Sequence, residues 1–316
     1  MTRKTVSVII CAYTVDRLED IHEAVDSILI QTLKPHEVIL AIDHNEELFD
    51  RLVTELPLEV KVVLNTSIPG LSETRNAGIL SSTGEIVAFI DDDAIAEATW
   101  LENLIPPFEV PRVMAVGGQA IPLWPKDKPP SWFPEEFDFT IGCTAHKKLM
   151  LRANGEVRNV TGSNMAFRNE IFQQIGFWES TLGRCELGRV KFNPTGGEEA
   201  ELCLRLKSTI PDGVILFRPE SVVNHKVIPQ RATLNYVFKF CFREGITRAM
   251  VRKLVSRYEK NPLATESVFL RQLLLTSIPQ RLKGFYKTAN IAQVCVITIN
   301  LLLMGTGYLL GRWRYR

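Results

Sequence analysis

The sequence predicts an α/β protein built on a doubly wound, mostly parallel β-sheet. Short β-branched, apolar segments alternate with segments of helical period through the N-terminal part of the chain, and this alternation produces right-handed βαβ units. Each predicted strand also ends at polar residues. The predicted strands are Thr5–Cys11, Glu37–Ile42 and Val60–Leu64, and the helices between them are Asp20–Leu29 and Glu46–Glu55.

The central predicted strand, Val87–Ile90, runs directly into three carboxylates, Asp91, Asp92 and Asp93. Side chains alternate along an extended chain, so we expect Asp91 and Asp93 to point one way and Asp92 the other. Two carboxylates that converge at this end of a buried strand suit Mg²⁺ or Mn²⁺ with positions left open for phosphate oxygens. The alternative is a solvated turn, or an Asp that caps the next helix.

Other polar residues are expected to line the same crevice. Tyr13 follows the first strand and Asp43 the second, where a carboxylate can accept hydrogen bonds from a ribose or a base; a turn or N-cap role is the alternative. Arg75 follows a glycine turn and is placed either to meet a diphosphate or on a helix surface. The chain has no G-x-G-x-x-G after the first strand and no G-x-x-x-x-G-K-[ST], which argues against a dehydrogenase and a P-loop NTPase.

Two further candidates lie in the second half of the chain. Glu198 and Glu199 follow a glycine pair and open a predicted helix. They are either carboxylates presented to a cleft, one of them a general base, or partners of the helix dipole. His225 ends a predicted strand and is either a third metal ligand or a structural histidine. The segment Trp124–Phe139 is rich in proline and aromatic residues and is predicted to be irregular.

The C-terminal part predicts membrane attachment. From Arg243 onwards the chain has 13 Lys and Arg against 3 Asp and Glu, which favours an anionic neighbour, either membrane or nucleic acid. Asn290–Gly311 carries no charge, is long enough to cross a bilayer and is followed by an aromatic and basic tail, so membrane is preferred to nucleic acid. A buried core helix and a re-entrant insertion are the alternatives. Thr265–Phe285 is predicted to be an interfacial helix. Six scattered cysteines fit a reducing cytosol.

Taken together, these motifs resemble those of family 2 glycosyltransferases with the GT-A fold. The resemblance covers roughly residues 5–230. It rests on Val6–Ile10, Asp43, Arg75–Gly78, Asp91–Asp93, Gly162–Met165 and Gly197–Glu199, in this order. The segments Val223–Val227 and Phe242–Gly245, with Arg231, look like a prokaryotic subgroup that includes glucosyl-dolichyl-phosphate glucuronosyltransferases.

The resemblance implies an inverting transfer from a nucleotide-diphosphate sugar, usually a UDP-sugar. Asp43 would hold the uracil or ribose end, Arg75 the diphosphate or base, and Asp91–Asp93 would form the metal and ribose site, with Asp93 as a direct ligand of Mn²⁺ or Mg²⁺. The family's base is the second member of a Glu-Asp pair. Here that position is Glu199, whose side chain is one methylene longer, so either Glu199 or Glu198 would act as the base.

We therefore expect a nucleotide-sugar-binding half (residues 1–111), an acceptor-side half (112–262) and a membrane part (263–316) with a transmembrane segment at about 290–311. The catalytic body would face the cytosol at the cell membrane and act on a lipid-linked sugar or a polysaccharide. One rival is a sugar nucleotidyltransferase, which needs a glycine-rich loop that the first strand lacks. The other is a non-catalytic lipid- or sugar-binding module.

Overall fold

The computed structural model describes residues 4–144, 155–184 and 196–315. Cys185 lies outside these ranges, and the five cysteines inside them are free thiols. The strands are β1 (Val6–Ala12), β2 (Glu37–Asp43), β3 (Val60–Asn65), β4 (Ile86–Asp91), β5 (Ala94–Ala96), β6 (Val113–Leu123), β7 (Asn164–Arg168) and β8 (Val214–Lys226).

Within the described ranges, these strands form one sheet with the order β3-β2-β1-β4-β7-β6-β8-β5. The pairs β1/β2, β2/β3, β1/β4 and β6/β8 are parallel. The pairs β4/β7, β6/β7 and β5/β8 are antiparallel. Only β5 and β7 therefore run against the other strands, which confirms the predicted mostly parallel sheet.

Helices cover both faces of the sheet. They are α1 (Leu18–Leu29), α2 (Glu46–Glu55), α3 (Leu71–Leu80), α4 (Trp100–Leu104), α5 (Ile171–Ile175), α6 (Glu198–Thr209), α7 (Leu234–Val255), α8 (Ala264–Gln272), α9 (Ile278–Lys283) and α10 (Thr288–Arg314). In β1, Val8 and Ile10 join the core cluster that packs on α1, α2, α4 and α7, whereas Ile9 joins a second cluster with α3, α5 and α6. This alternation explains why a strand buried on both sides is apolar throughout.

Three elements differ from the sequence-based prediction. Strand β8 begins at Val214, well before the predicted Val222, because β6 pairs with it along its length and a register shift after Gly118 accommodates Pro219. The segment predicted to be irregular ends in a 3₁₀ helix, Glu135–Ile141, which follows Pro134 and stops at Gly142 in the left-handed conformation. The predicted interfacial helix is divided into α8, a π turn (Leu273–Ser277) and α9.

The C-terminal helix α10 packs along α7. A Cβ at Gly245 of α7 would overlap the Met304 carbonyl of α10, and a Cβ at Gly307 would overlap the Phe242 carbonyl of α7. The N-terminal half of α10 reaches the main core through Ile297, which is fully buried. One face of α10 is therefore covered by the rest of the protein, and the glycines set the close approach of the two helices.

The opposite face of α10 is apolar and exposed. Its exposed large side chains are Ile291, Ile299, Leu302, Leu309, Leu310 and Trp313. By length and composition α10 is a helix that could cross a membrane, and it contains the segment predicted for that role. Helices α8 and α9 and their surroundings add further exposed apolar side chains, including Val268, Leu275 and Phe285.

Substitution of Gly307 by Ala should destabilise the packing of α10 on α7. The new methyl group would overlap the Phe242 backbone, and overpacking of this kind costs about 1–3 kcal/mol. The matched control is Gly305→Ala, because a Cβ at Gly305 meets nothing within 4 Å and Ala is favoured over Gly in a helix by up to about 1 kcal/mol. Thermal unfolding in detergent should show a lower Tm for Gly307→Ala only. Equal Tm values for the two variants would contradict the close packing.

Candidate active site

The carboxyl ends of the parallel strands meet at one cavity. Its volume is about 310 Å³, and we call it the strand-end cavity. Tyr13 follows β1, Asp43 ends β2, Asp91 ends β4, and Asp92 and Asp93 follow β4, so these predicted crevice residues are brought together here. Sheet register explains this placement, since Cys11 of β1 lies opposite Asp91 of β4.

Asp91 and Asp93 face His225 from the end of β8. The His225 Nε2 atom lies 3.2 Å from Oδ1 of Asp93 and 3.6 Å from Oδ2 of Asp91. The side chains of His225 and Asp93 are almost fully buried, whereas that of Asp91 is 31% exposed. Although burial opposes the effect, Asp93 and Asp91 raise the pKa of His225 well above its ordinary value. Burial alone would raise the pKa of Asp93, but the charges of His225 and Arg17 hold this pKa well below its ordinary value.

Asp92 instead binds Arg17. The Arg17 Nη1 atom donates to Oδ1 of Asp92 at 2.6 Å and lies 3.1 Å from Oδ2 of Asp93. Arg231 lies 3.6 Å from the same Asp93 oxygen. Burial, together with the charges of Asp93 and Asp91, raises the pKa of Asp92 to about 7 against the opposing effect of Arg17. Asp91 and Asp93 therefore share His225, whereas Asp92 binds Arg17, which also reaches Asp93.

One oxygen or nitrogen atom from each of Asp91, Asp93 and His225 lies within 4.8 Å of the others. Two carboxylates and one imidazole are a ligand set that suits Mn²⁺, and Mg²⁺ accepts the carboxylates. The buried His225 Nδ1 atom has no hydrogen-bond partner among the described residues. These three residues could hold a divalent ion and leave its remaining positions open.

Asp43 and Tyr13 form the far wall of the strand-end cavity. Asp43 accepts hydrogen bonds from the Gly70 N–H at 2.9 Å and from Nδ2 of Asn65 at 3.0 Å. It thereby fixes the turn that starts α3, and it also lines the cavity. Arg17 lies over the ring of Tyr13, 5.3 Å from its centre.

Glu198 and Glu199 open helix α6 beside Arg75. Nη1 of Arg75 lies 3.1 Å from Oε1 of Glu198 and 3.5 Å from Oε1 of Glu199. The structure thus places Arg75, which is 2% exposed, at the glutamates and not on a helix surface. Gly197, at a φ of 93°, has no room for a Cβ because Thr247 would be 2.7 Å from it. Burial and the charge of Glu198 raise the pKa of Glu199 to about 8, although Arg75 acts in the opposite direction.

The glutamates line a second cavity of about 230 Å³, which we call the helix-side cavity. Its apolar wall consists of Phe139, Phe240 from α7, Phe269 from α8 and Met304 from α10. Phe139 packs edge-on against both other phenylalanines, with ring centres 6.2 and 6.0 Å apart. The cavity therefore has Glu199 and apolar side chains of the C-terminal helices in its wall.

Charged residues form the other wall of the helix-side cavity. Glu266 of α8 accepts from Arg158 at 2.6 Å and pairs with Arg248 of α7 at 2.8 Å. Arg248 also pairs with Glu244 one helical turn away, at 2.6 Å. This network ties α7 and α8 to the body of the protein beside the glutamates.

Several site residues were not singled out from the sequence as site candidates. They are Arg17, Arg158, Arg184, Arg231 and Arg248. No local pattern distinguishes an arginine that binds across the fold from one on a surface. The only available signal was indirect: buried carboxylates in a cluster need cations nearby.

Replacement of Glu199 by Gln should raise the Tm of the ligand-free protein at pH 8 and have little effect at pH 5. The folded pKa of about 8 exceeds the reference value of 4.5, so between these pH values Glu199 ionises in the unfolded state and stays protonated in the folded state. Stability therefore falls as the pH rises, by about 1.4 kcal/mol per pKa unit at most. Gln removes this loss of stability. The control is Glu220→Gln, an exposed site. Unfolding curves from pH 5 to 9 test this, and a pH-independent difference between Glu199→Gln and wild type would refute it.

Comparison with known proteins identifies the family. The profile described as Glycosyl transferase family 2 matches residues 7–176, more than half of the chain. The chain is 33% identical over 312 residues to the glucosyl-dolichyl phosphate glucuronosyltransferase of Haloferax volcanii, covering 97% of this chain and 96% of that protein. It is 27% identical over 244 residues to the succinoglycan biosynthesis protein ExoM of Rhizobium meliloti, covering 77% and 69%.

Solved structures agree with this result at the level of the fold. A mannosyltransferase of Pyrobaculum calidifontis, in complex with GDP-mannose and Mn²⁺, superimposes with a TM-score of 0.64 at 15% identity, covering 100% of this chain and 89% of that one. GalNAc-T7 with UDP, GalNAc and Mn²⁺ gives 0.53 at 18% identity, covering 81% and 55%. The family resemblance of the sequence motifs is thus confirmed, and the chain belongs to glycosyltransferase family 2, with the GT-A fold.

Proposed function

We propose that this glycosyltransferase moves a sugar from a UDP-sugar to a lipid-linked saccharide, with inversion and with a divalent metal ion. The observation that carries the proposal is that the two cavities meet at Asp91, which lines both. A metal-binding set lies on one side of the junction and a glutamate with a raised pKa lies on the other. This is the arrangement that a direct transfer between two substrates requires.

The strand-end cavity would hold the nucleotide. Tyr13 and Asp43 form its far wall and would receive the uracil and ribose. Asp92, which binds Arg17, would contribute to the ribose site beside Asp91 and Asp93. Mn²⁺ or Mg²⁺ bound to Asp91, Asp93 and His225 would neutralise the charge that develops on the departing UDP. Two of the solved relatives contain Mn²⁺, which supports this choice of ion.

Glu199 would act as the base. Its carboxylate would accept the proton of the acceptor hydroxyl. Its raised pKa gives Glu199 the proton affinity that a general base needs near neutral pH. Arg75 touches both glutamates and would hold their orientation. Glu198 is the more deeply buried of the two, with a side chain only 3% exposed against 18% for Glu199, which favours Glu199 as the group that meets the acceptor.

The acceptor would enter through the helix-side cavity. Its phenylalanine wall suits an isoprenoid chain, and Arg158 and Arg248 suit a phosphate. The relative from Haloferax volcanii is named for a glucosyl-dolichyl phosphate acceptor, which supports a lipid of this class. The same name supports transfer of a glycuronosyl rather than a hexosyl group. The polysaccharide acceptor that the sequence left open receives no comparable support from the cavity wall.

The exposed apolar face of α10 would attach the enzyme to the cytosolic face of the cell membrane, where UDP-sugars are available. Helix α10 lies along α7, and α7 carries Glu244 and the basic residues Lys239, Arg243, Arg248, Arg252 and Lys253. A helix with this composition does not enter hydrocarbon. The contact therefore favours a shallow insertion of α10 parallel to the surface over a complete crossing.

The class of reaction is tested by measuring UDP release from a panel of UDP-sugars by the membrane-bound protein, with and without Mn²⁺. Release should require Mn²⁺ and a lipid extract. Asp93→Ala should abolish it, and Glu199→Gln should lower it by roughly 10²–10⁴-fold.

The matched controls are Asp212→Ala and Glu220→Gln, both at exposed positions. Full activity of Glu199→Gln would move the base to Glu198. Absence of release from every UDP-sugar with wild type would contradict the UDP donor.

The membrane placement predicts that both ends of α10 lie on the cytosolic side. In sealed vesicles with the catalytic body outside, an impermeant maleimide should label Tyr315→Cys as fast as Glu220→Cys, both in a Cys295→Ser background. Protection of Tyr315→Cys alone would indicate a complete crossing. Release of the whole chain into the supernatant by carbonate would contradict insertion of α10 into the membrane.

A further inference from the structure

Arg184 stands at the junction of the two cavities. Among the residues that the structure describes, three line both cavities: Leu71, Asp91 and Arg184. Leu71 is apolar and Asp91 belongs to the metal-binding set, so Arg184 is the cation at this position. The proposed function places the transferred sugar here, between the diphosphate at the aspartates and the acceptor hydroxyl at Glu199.

The backbone around Arg184 is fixed to the first turn of α3. The Leu71 N–H donates to the Arg184 carbonyl at 3.0 Å, and the Ser72 hydroxyl donates to the Leu182 carbonyl at 2.9 Å. Gly183 has a φ of 90°, and a Cβ there would lie 2.9 Å from the Ser72 hydroxyl oxygen. Arg184 is therefore presented from an anchored position, and α3 is the same helix that carries Arg75.

Arg184 differs from the other arginines of the site in its pairing. Arg17 pairs with Asp92, Arg75 with Glu198 and Arg231 with Asp93. Within the ranges that the structure describes, no carboxylate forms an ion pair with Arg184, although Asp91, Asp93 and Glu198 act on its charge from a greater distance. A partly buried guanidinium that forms no ion pair with the described carboxylates has the charge and the donors to bind a carboxylate or a phosphate.

The donor offers two anions, its diphosphate and, in a uronate, the carboxylate of the sugar. The diphosphate side of the junction already has Arg17 and Arg231 in the strand-end cavity. Arg184 also lines the helix-side cavity, which those two arginines do not. The location beyond the diphosphate therefore favours the carboxylate of the sugar.

We propose that Arg184 binds the carboxylate of the donor sugar and makes the enzyme selective for nucleoside diphosphate uronates. The inference rests on the proposed function and deepens it. UDP-glucose has a hydroxymethyl group where UDP-glucuronate has the carboxylate, so it would leave the guanidinium without its anion. A hydrogen-bonded charged group of this kind corresponds to about a 10- to 100-fold difference in affinity.

The test is equilibrium binding of UDP-glucuronate, UDP-glucose and UDP to the full chain in detergent with Mn²⁺, which needs no acceptor. Wild type should bind UDP-glucuronate about 10- to 100-fold more tightly than UDP-glucose. Arg184→Gln should abolish this ratio and leave the affinities for UDP and UDP-glucose unchanged, and Arg184→Lys should keep part of it. The control is Arg112→Gln, at an exposed position.

The outcomes separate the inference from the proposed function. Equal loss of all three ligands in Arg184→Gln, with an unchanged Tm, would assign Arg184 to the diphosphate and overturn the inference. Equal wild-type affinity for the two sugar nucleotides would also overturn it and leave the UDP-sugar proposal standing. Failure of wild type to bind UDP or either sugar nucleotide would overturn both.

Discussion

The buried charge cluster at the end of β4 is the constraint on which the rest of the structure depends. After Asp91 the chain leaves the centre of the sheet and re-enters it at the far edge as β5, where Ala94 pairs with His225 of β8. Three carboxylates at such a crossing are costly unless cations offset them. Arg17 from the N-terminal part of the chain, and His225 and Arg231 from the end of β8 and the loop after it, offset them. The strand-end cavity is therefore formed by the same ion pairs that hold these parts to β4.

The elements that could be predicted from the sequence are those specified locally. Helix α2 has the predicted bounds because Asn45 caps it and its apolar residues have helical spacing. A site at the acids that end and follow β4 was predicted because the packing of a buried strand gives no reason for three adjacent carboxylates. Strand β8 was only half predicted, since Pro219 and its neighbours interrupt the pattern and pairing with β6 outweighs that interruption. The arginines of the site depend on contacts between distant segments, so no local pattern revealed Arg17 or Arg184.

The C-terminal helices show the same dependence on tertiary contacts. An uncharged apolar segment predicts a membrane helix from composition alone, and α10 fits that description. Gly245 and Gly307 give α10 a second role, because they allow it to pack closely along one side against the charged helix α7. Ile297 then connects α10 to the main core. The segment is therefore part of the folded body on one face and apolar surface on the other, a combination that hydropathy does not distinguish from a free span.

The absence of a side chain at Gly162 leaves room for the longer side chain of Glu199. The family resemblance leads us to expect Asp at this position, and Glu adds one methylene to the reach of the carboxylate. At Gly162, on the turn before β7, a Cβ would overlap Oε1 of Glu199 and lie 2.5 Å from Nη2 of Arg75. Any side chain at residue 162 would therefore displace either the carboxylate or its arginine. The space left by Gly162 lets Glu199 extend while Arg75 holds both glutamates, which explains how the substitution is compatible with a role as the base.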